Sequence, residues 1–351
     1  MQRRLMTAGT LVTVLACLAL AQVSLSGQGA AVTATAAPGR AVSTTARTPW
    51  GDPDFSGVWS SDDMRGIPRE RPDEFGTRRF LTDEELAKRV QRDDQTRRQE
   101  ANRVGAFRND VGTRTFKQTS LVVDPPNGKI PALTTDGAKR RDARNRGSFG
   151  EGPFNVFEDF TLYDRCITRG VVGSLGPAIY GNGATIAQSP GQVAISYEMV
   201  HDTRIVALDG RPHLSQQMRQ YMGNARGRWE GDALVIETTG FTDRTAISGV
   251  RHSDVLRLTE RISRVDDLTL DYQVTIDDPK TYTQPWTMVL QLTQPPGFRQ
   301  FPYECHEGNL GLRNILSAER AEDKALEEDL KKGIVRKRRP VQAAADGEQE
   351  R

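Results

Sequence analysis

The chain has 351 residues, 36% of them hydrophobic and 27% charged, with 48 basic residues against 46 acidic ones. This balance excludes nucleic acid or an anionic membrane surface as a partner recruited by overall charge. The length past the amino-terminal region suits one large or two small domains.

Arg3 and Arg4 precede an uncharged stretch from Leu5 to Ala21 that ends in Ala19-Leu20-Ala21. A charged start, an apolar middle and small residues before the cut predict a secretory signal over residues 1–21, cleaved before Gln22, and hence a periplasmic or secreted protein. Val14-Leu15-Ala16-Cys17 offers a second reading, a lipoprotein whose first residue is Cys17, and Arg3-Arg4 a third, twin-arginine export. No later segment is apolar for long enough to span a bilayer, so no transmembrane segment is expected after signal removal. Residues 22–48, poor in large apolar side chains, read as a flexible linker.

Residues 49–118 are expected to hold an opening strand at Phe55-Ser56-Gly57-Val58-Trp59 and a helical arm. Thr82-Asp83-Glu84-Glu85 is a capping box, which starts a helix running from about Asp83 to Arg103. This helix is polar on nearly every side, so it is predicted to be a solvated arm held at its two ends.

Residues 119–313 alternate with period two in segment after segment, the pattern of half-buried antiparallel strands. Val193, Ile195, Tyr197 and Met199 share a face, after a turn at Ser189-Pro190-Gly191-Gln192. Asp209-Gly210 and Gly231-Asp232 read as reversals. Leu256, Leu258 and Ile262 alternate up to Asp266-Asp267, and Leu270, Tyr272, Val274 and Ile276 alternate back, the clearest hairpin of the chain. Further strands are expected over Trp286–Leu292 and Phe301–Cys305. A second helix is predicted over residues 314–333, with Ile315, Ala318, Ala325, Leu326 and Leu330 as its apolar stripe, and a disordered, solvated tail over 334–351 that begins with a basic run. The fold class is therefore mainly β: an antiparallel, barrel-like domain with a peripheral N-terminal helical arm and a C-terminal helix.

Beyond Cys17, two cysteines remain, Cys166 and Cys305, and in an oxidising compartment they are expected to form a disulfide. Cys305 and the adjacent His306 would point to opposite faces of a strand, which argues against a nucleophile–base pair.

The four histidines are not spaced as ligands on one element, and Gly-x-Ser-x-Gly, phosphate-loop and dinucleotide motifs are absent. No metal and no cofactor are expected. Glu260 lies in phase with Leu256, Leu258 and Ile262, so it points inward; there it either meets a buried arginine or acts as an acid or base. His201 and His306 are its candidate catalytic companions. Glu198, His201 and Arg204 form a candidate rim cluster able to clamp an anion. Trp59, Trp229, Tyr272, Trp286 and Tyr303 are the aromatic walls of the core or of a pocket.

The Gly57-Val58-Trp59 step resembles the Gly-x-Trp opening strand of lipocalin-type barrels, which implies a lipocalin- or calycin-like fold with the Trp closing the barrel floor. From about Pro49 to Ala321 the chain also resembles a group of secreted bacterial proteins of uncharacterised activity. That resemblance rests on Pro53–Trp59, Thr119–Pro126, Arg165-Cys166-Ile167-Thr168-Arg169-Gly170, Gly227–Asp232 and Cys305-His306-Glu307-Gly308-Asn309. It implies that both cysteine segments belong to the shared design. Three functions fit: a binder of a small, largely apolar ligand inside the barrel, a cofactor-independent lyase, isomerase or hydrolase using the interior Glu with a His, or an envelope interaction protein.

Overall fold

The structure, a computed structural model, describes residues 46–103, 111–142 and 152–338. The expected leader, Cys17 and the linker up to residue 45 lie outside them. In chain order the regular elements are β1 (Gly57–Ser60), α1 (Asp83–Ala101), β2 (Val122–Asp124), α2 (Thr135–Asp142), α3 (Gly170–Leu175), β3 (Gly183–Ser189), β4 (Gln192–Tyr197) and β5 (Thr203–Ala207). They continue with β6 (Asn224–Glu230), β7 (Ala233–Thr239), β8 (Ala246–Ile247), β9 (Val250–Arg251), β10 (Arg257–Asp266), β11 (Thr269–Asp277), β12 (Trp286–Thr293) and α4 (Gly311–Lys331).

Nine strands close into a barrel in the order β1-β3-β4-β5-β6-β7-β10-β11-β12, with β12 returning to β1 and β2 added along β12. The fold is mainly β, as the alternation predicts. Register follows that alternation: Leu258, Glu260 and Ile262 stand opposite Ile276, Val274 and Tyr272 on one side and Thr238, Ile236 and Leu234 on the other. Because period two sends every second residue inward, these rows meet in one core with Trp59, Tyr197 and Trp286. Burying each large aliphatic side chain there stabilises the fold by about 1.5–3 kcal/mol.

The barrel is mixed rather than wholly antiparallel. Past Asp209-Gly210 the chain does not fold straight back; it loops through residues 208–223 and enters β6 parallel to β5, paired only at Ala207 and Arg226. The loop is tied to the body by Gln220, whose N–H donates to Gly240 O and whose carbonyl accepts from Thr242 N. The strand expected over Phe301–Cys305 does not form. Side chains take up its amides instead, Phe301 N donating to Glu198 and Tyr303 N to His201 Nε2, and Phe301 is 68% exposed.

Helix α1 starts on the expected capping box, with Thr82 and Glu85 exchanging bonds. It packs along its length rather than by its ends. Buried Arg89 donates to the carbonyls of Phe116 and Gln118, and Arg97 to that of Gly112. Guanidinium groups meeting free carbonyls let a polar helix dock without an apolar stripe.

Helix α4 begins three residues before the expected start. Its buried positions are Ile315, Glu319 and Glu322, whereas Ala318 and Leu330 are exposed. Ile315 packs against stacked Phe154 and Phe160. The basic run expected to be solvated folds back over its described residues, Arg336 pairing with Glu322 and Asp329 and Arg338 with Glu319 and Asp323. The buried carboxylates on the helix explain the docking, since each needs a cation.

Candidate functional site

Glu260 points into the barrel and is fully buried. Its partner is Arg204, on the opposite wall: Arg204 Nη1 donates to Oε2 at 2.7 Å and Nη2 to Oε1. The Tyr272 hydroxyl donates to Oε1 at 2.8 Å, and Thr238 lies at 3.5 Å from Oε2. Burial works against the charge on Arg204, but adjacent Glu260 outweighs it and holds the guanidinium above its ordinary pKa. Burial raises the pKa of the nearby Tyr197 and Tyr272 hydroxyls as well. Both carboxylate oxygens are thus occupied, and the network ties the barrel's walls together rather than addressing a substrate.

The other residues singled out in the sequence are not gathered around Glu260. Glu198, buried, accepts from the amides of Gly183 and Phe301, and exposed His201 accepts at Nε2 from Tyr303 N at 2.7 Å, both at the β4–β5 turn. Arg204 leaves them for the interior, because it sits opposite Ile195 in the inward row. His306 is exposed. Trp59, Tyr272 and Trp286 are core residues, and Trp229 is half-buried against Phe55 at 5.6 Å. Trp59 donates its indole N–H to Phe55 O, and the Arg264 guanidinium lies over its ring at 5.4 Å. Among the described residues no His, Cys, Asp or Glu group is placed to hold a metal ion.

Cys166 and Cys305 are joined in a disulfide, Cα to Cα 5.7 Å. It brings the 163–169 segment against Tyr303. The Tyr163 and Tyr303 hydroxyls lie 3.4 Å apart, Tyr180 stacks on Tyr303 at 6.2 Å, and the Arg169 guanidinium lies 5.2 Å over the Tyr163 ring. Burial, then the bond to Tyr163, pushes the Tyr303 hydroxyl up to about 12. Burial pulls the Arg169 guanidinium below its ordinary pKa, partly offset by the tyrosines, and its Nη1 is buried with no hydrogen-bond partner among the described residues.

Arg169 borders a cleft of about 340 Å³ that lies beyond the end of β1. Met64, Leu121, Val172, Ile247 and Met288 give it apolar walls, and Arg65, Arg69 and Arg169 line it as well. It exists because β1 ends at Ser60, where it meets Thr293 of β12, while β12 runs on toward Trp286 with β11 on one edge and the short β2 on the other. Helix α3, preceded by Arg169, closes the far wall. An apolar surface with a spare buried donor can seat a molecule with a hydrocarbon or aromatic body and an oxyanion.

Arg169 escaped the sequence reading of the site. Its signal was present in Arg165-Cys166-Ile167-Thr168-Arg169-Gly170, but nothing local in that segment shows that a disulfide at Cys166 will bury the arginine. Compared with known protein families, with curated proteins and with solved structures, the chain matches none.

Proposed function

We propose that this chain is an exported protein, periplasmic or secreted, that binds a small amphipathic anion with a largely apolar body and a carboxylate head, seated in the cleft beyond β1. The observation that carries the reading is Arg169, which lines an apolar cleft and has one buried donor without a partner among the described residues. A buried donor without a partner costs about 1–3 kcal/mol, which a bound oxyanion would recover. Export rests on the leader-like residues 1–21, and the disulfide suits an oxidising compartment.

The enzyme reading built on Glu260 has less support. Arg204 and Tyr272 occupy the carboxylate, and neither His201 nor His306 is among its partners.

Calorimetric titration of the full mature protein with decanoate, and with decanol as the uncharged control, tests the binding. Saturable decanoate binding that Arg169→Leu weakens at least tenfold, with decanol little affected, is expected. No saturable binding of decanoate, or equal binding by the Arg169→Leu protein, would overturn the reading. Amino-terminal sequencing of protein recovered from its source tests export, a start at Gln22 or a lipidated Cys17 being the expected results and an intact Met1 the contrary one.

A further inference from the structure

A second cavity, of about 210 Å³, lies on the other side of Arg169 and is bordered by Thr245. Thr245 belongs to a small hairpin in which β8 and β9 pair Ala246 with Arg251 and Ile247 with Val250 around Ser248-Gly249. The next pair outward is therefore Thr245 and His252, and His252 N donates to Thr245 O at 3.3 Å. Their side chains meet as well, Thr245 Oγ1 bonding His252 Nε2.

The imidazole is held in one orientation. His252 Nδ1 lies 2.9 Å from Ser253 O, a carbonyl that can only accept, so Nδ1 carries the proton and Nε2 is left to accept from the threonine hydroxyl. Phe241 packs edge-on against the ring at 5.5 Å. Ser253 is fixed in turn by Asp278, which takes its N–H at 2.7 Å and its hydroxyl at 2.6 Å. Hydroxyl, base and orienting group thus stand in the order that activates an oxygen nucleophile.

The wall of the cavity beside this pair is rich in arginines, of which Arg251 pairs with Asp243 behind it at 4.0 Å. Arg140, Arg141, Arg169, Arg244 and Arg251 border the cavity, and no carboxylate does among the described residues of its wall. Such a wall favours a substrate that bears a negative charge and the oxyanion that forms as it reacts.

We propose that Thr245 and His252 are a nucleophile–base pair for acyl transfer from carboxylic esters whose acyl part ends in an anionic group. Thr245 Oγ attacks the ester carbonyl while its proton passes to His252 Nε2. The tetrahedral adduct collapses by breaking the bond to the alkoxy oxygen, which leaves as the alcohol with that proton. Water, deprotonated by His252, then attacks the acyl-threonine; the carboxylic acid is released and the hydroxyl of Thr245 takes the proton back. Burial keeps the imidazole below its ordinary pKa and so neutral when it must accept. This site rests on its own geometry, not on carboxylate binding in the first cleft.

Mono-p-nitrophenyl suberate, with neutral p-nitrophenyl octanoate beside it, tests the proposal on the full mature protein. A burst of about one p-nitrophenolate per chain, followed by slower turnover, and an acyl adduct mapped by mass spectrometry to Thr245 are expected. Thr245→Val and His252→Gln should each lose roughly 10²–10⁴-fold in rate, while Thr245→Ser keeps activity within about tenfold. Release no faster than in buffer, an adduct elsewhere, or an unchanged rate in Thr245→Val would overturn it, and faster turnover of the octanoate would overturn the anionic specificity. Should Thr245→Val or His252→Gln fail to fold, the adduct on the unsubstituted protein still decides.

Discussion

Arg204 and Glu260, 56 residues apart in sequence, meet inside the barrel with two guanidinium nitrogens on two carboxylate oxygens, and both side chains are at most 5% exposed. Removing one partner leaves an unpaired buried charge, whereas removing both removes the need for pairing. Glu260→Gln is therefore expected to destabilise the protein by about 3–5 kcal/mol, and Arg204→Met combined with Glu260→Leu to recover most of that loss. Urea unfolding of the single and double variants checks it; equal losses in both would show that the pair itself stabilises the fold.

The Cys166–Cys305 bond closes a loop over a separation of 139 residues. Chain entropy alone gives about 5 kcal/mol as an upper value for its contribution. Cys166→Ser should lower the urea midpoint and expose the Tyr163–Tyr303 contact, seen as increased tyrosine accessibility to solvent quenchers. An unchanged midpoint would mean that the 163–169 segment is held by its other contacts.

Glu85 gives a pH dependence of definite sign. The hydrogen bond from Arg78, then the Thr82 amide, hold its carboxyl down to about 2 against an ordinary value of 4.5. Folding therefore favours the ionised form, and the stabilisation is complete above 4.5 and lost as pH falls toward 2. Glu85→Gln should be less stable than the parent at neutral pH, with the gap closing over that acid range. A gap that stays constant down to the lower limit would contradict the assignment.

Removal of residues 334–351 should loosen helix α4, because Glu319 and Glu322 lose Arg338 and Arg336. Faster proteolysis within Gly311–Lys331 is the expected readout. Part of the difference should vanish near 1 M salt, where the screening length is about 3 Å. Identical cleavage rates at low salt would show that the docked arginines do not secure the helix.

What could be read in advance follows from the range of the forces involved. The β10–β11 hairpin, the inward direction of Glu260 and the start of α1 depend on neighbours a few residues away, and each was legible. Alternation placed Glu260 inside, to meet a buried arginine or to act as an acid or base, but did not show that Arg204 would reach it, because that depends on which strands face each other across the barrel. The Phe301–Cys305 stretch alternates like a strand and still forms none, since Glu198 and His201 compete for its amides. The parallel joint of β5 and β6, the docked tail and the Thr245–His252 pair are likewise set by tertiary contact. Only the last left a local trace, a Ser-Gly turn midway between two polar residues.

The closure of the barrel has a mechanical meaning. Strands β1, β3, β4 and β5 form one curved half and β6, β7, β10, β11 and β12 the other, and the halves are sewn together at Ser60–Thr293 and at Ala207–Arg226, one residue pair each. Arg204 belongs to the first half and Glu260 to the second, so their ion pair is a cross-tie spanning two thin seams. With the tie cut, the halves are expected to part like a clamshell before either loses its own ladder, and amide exchange should resolve two cooperative units in a Glu260→Gln protein and one in the parent.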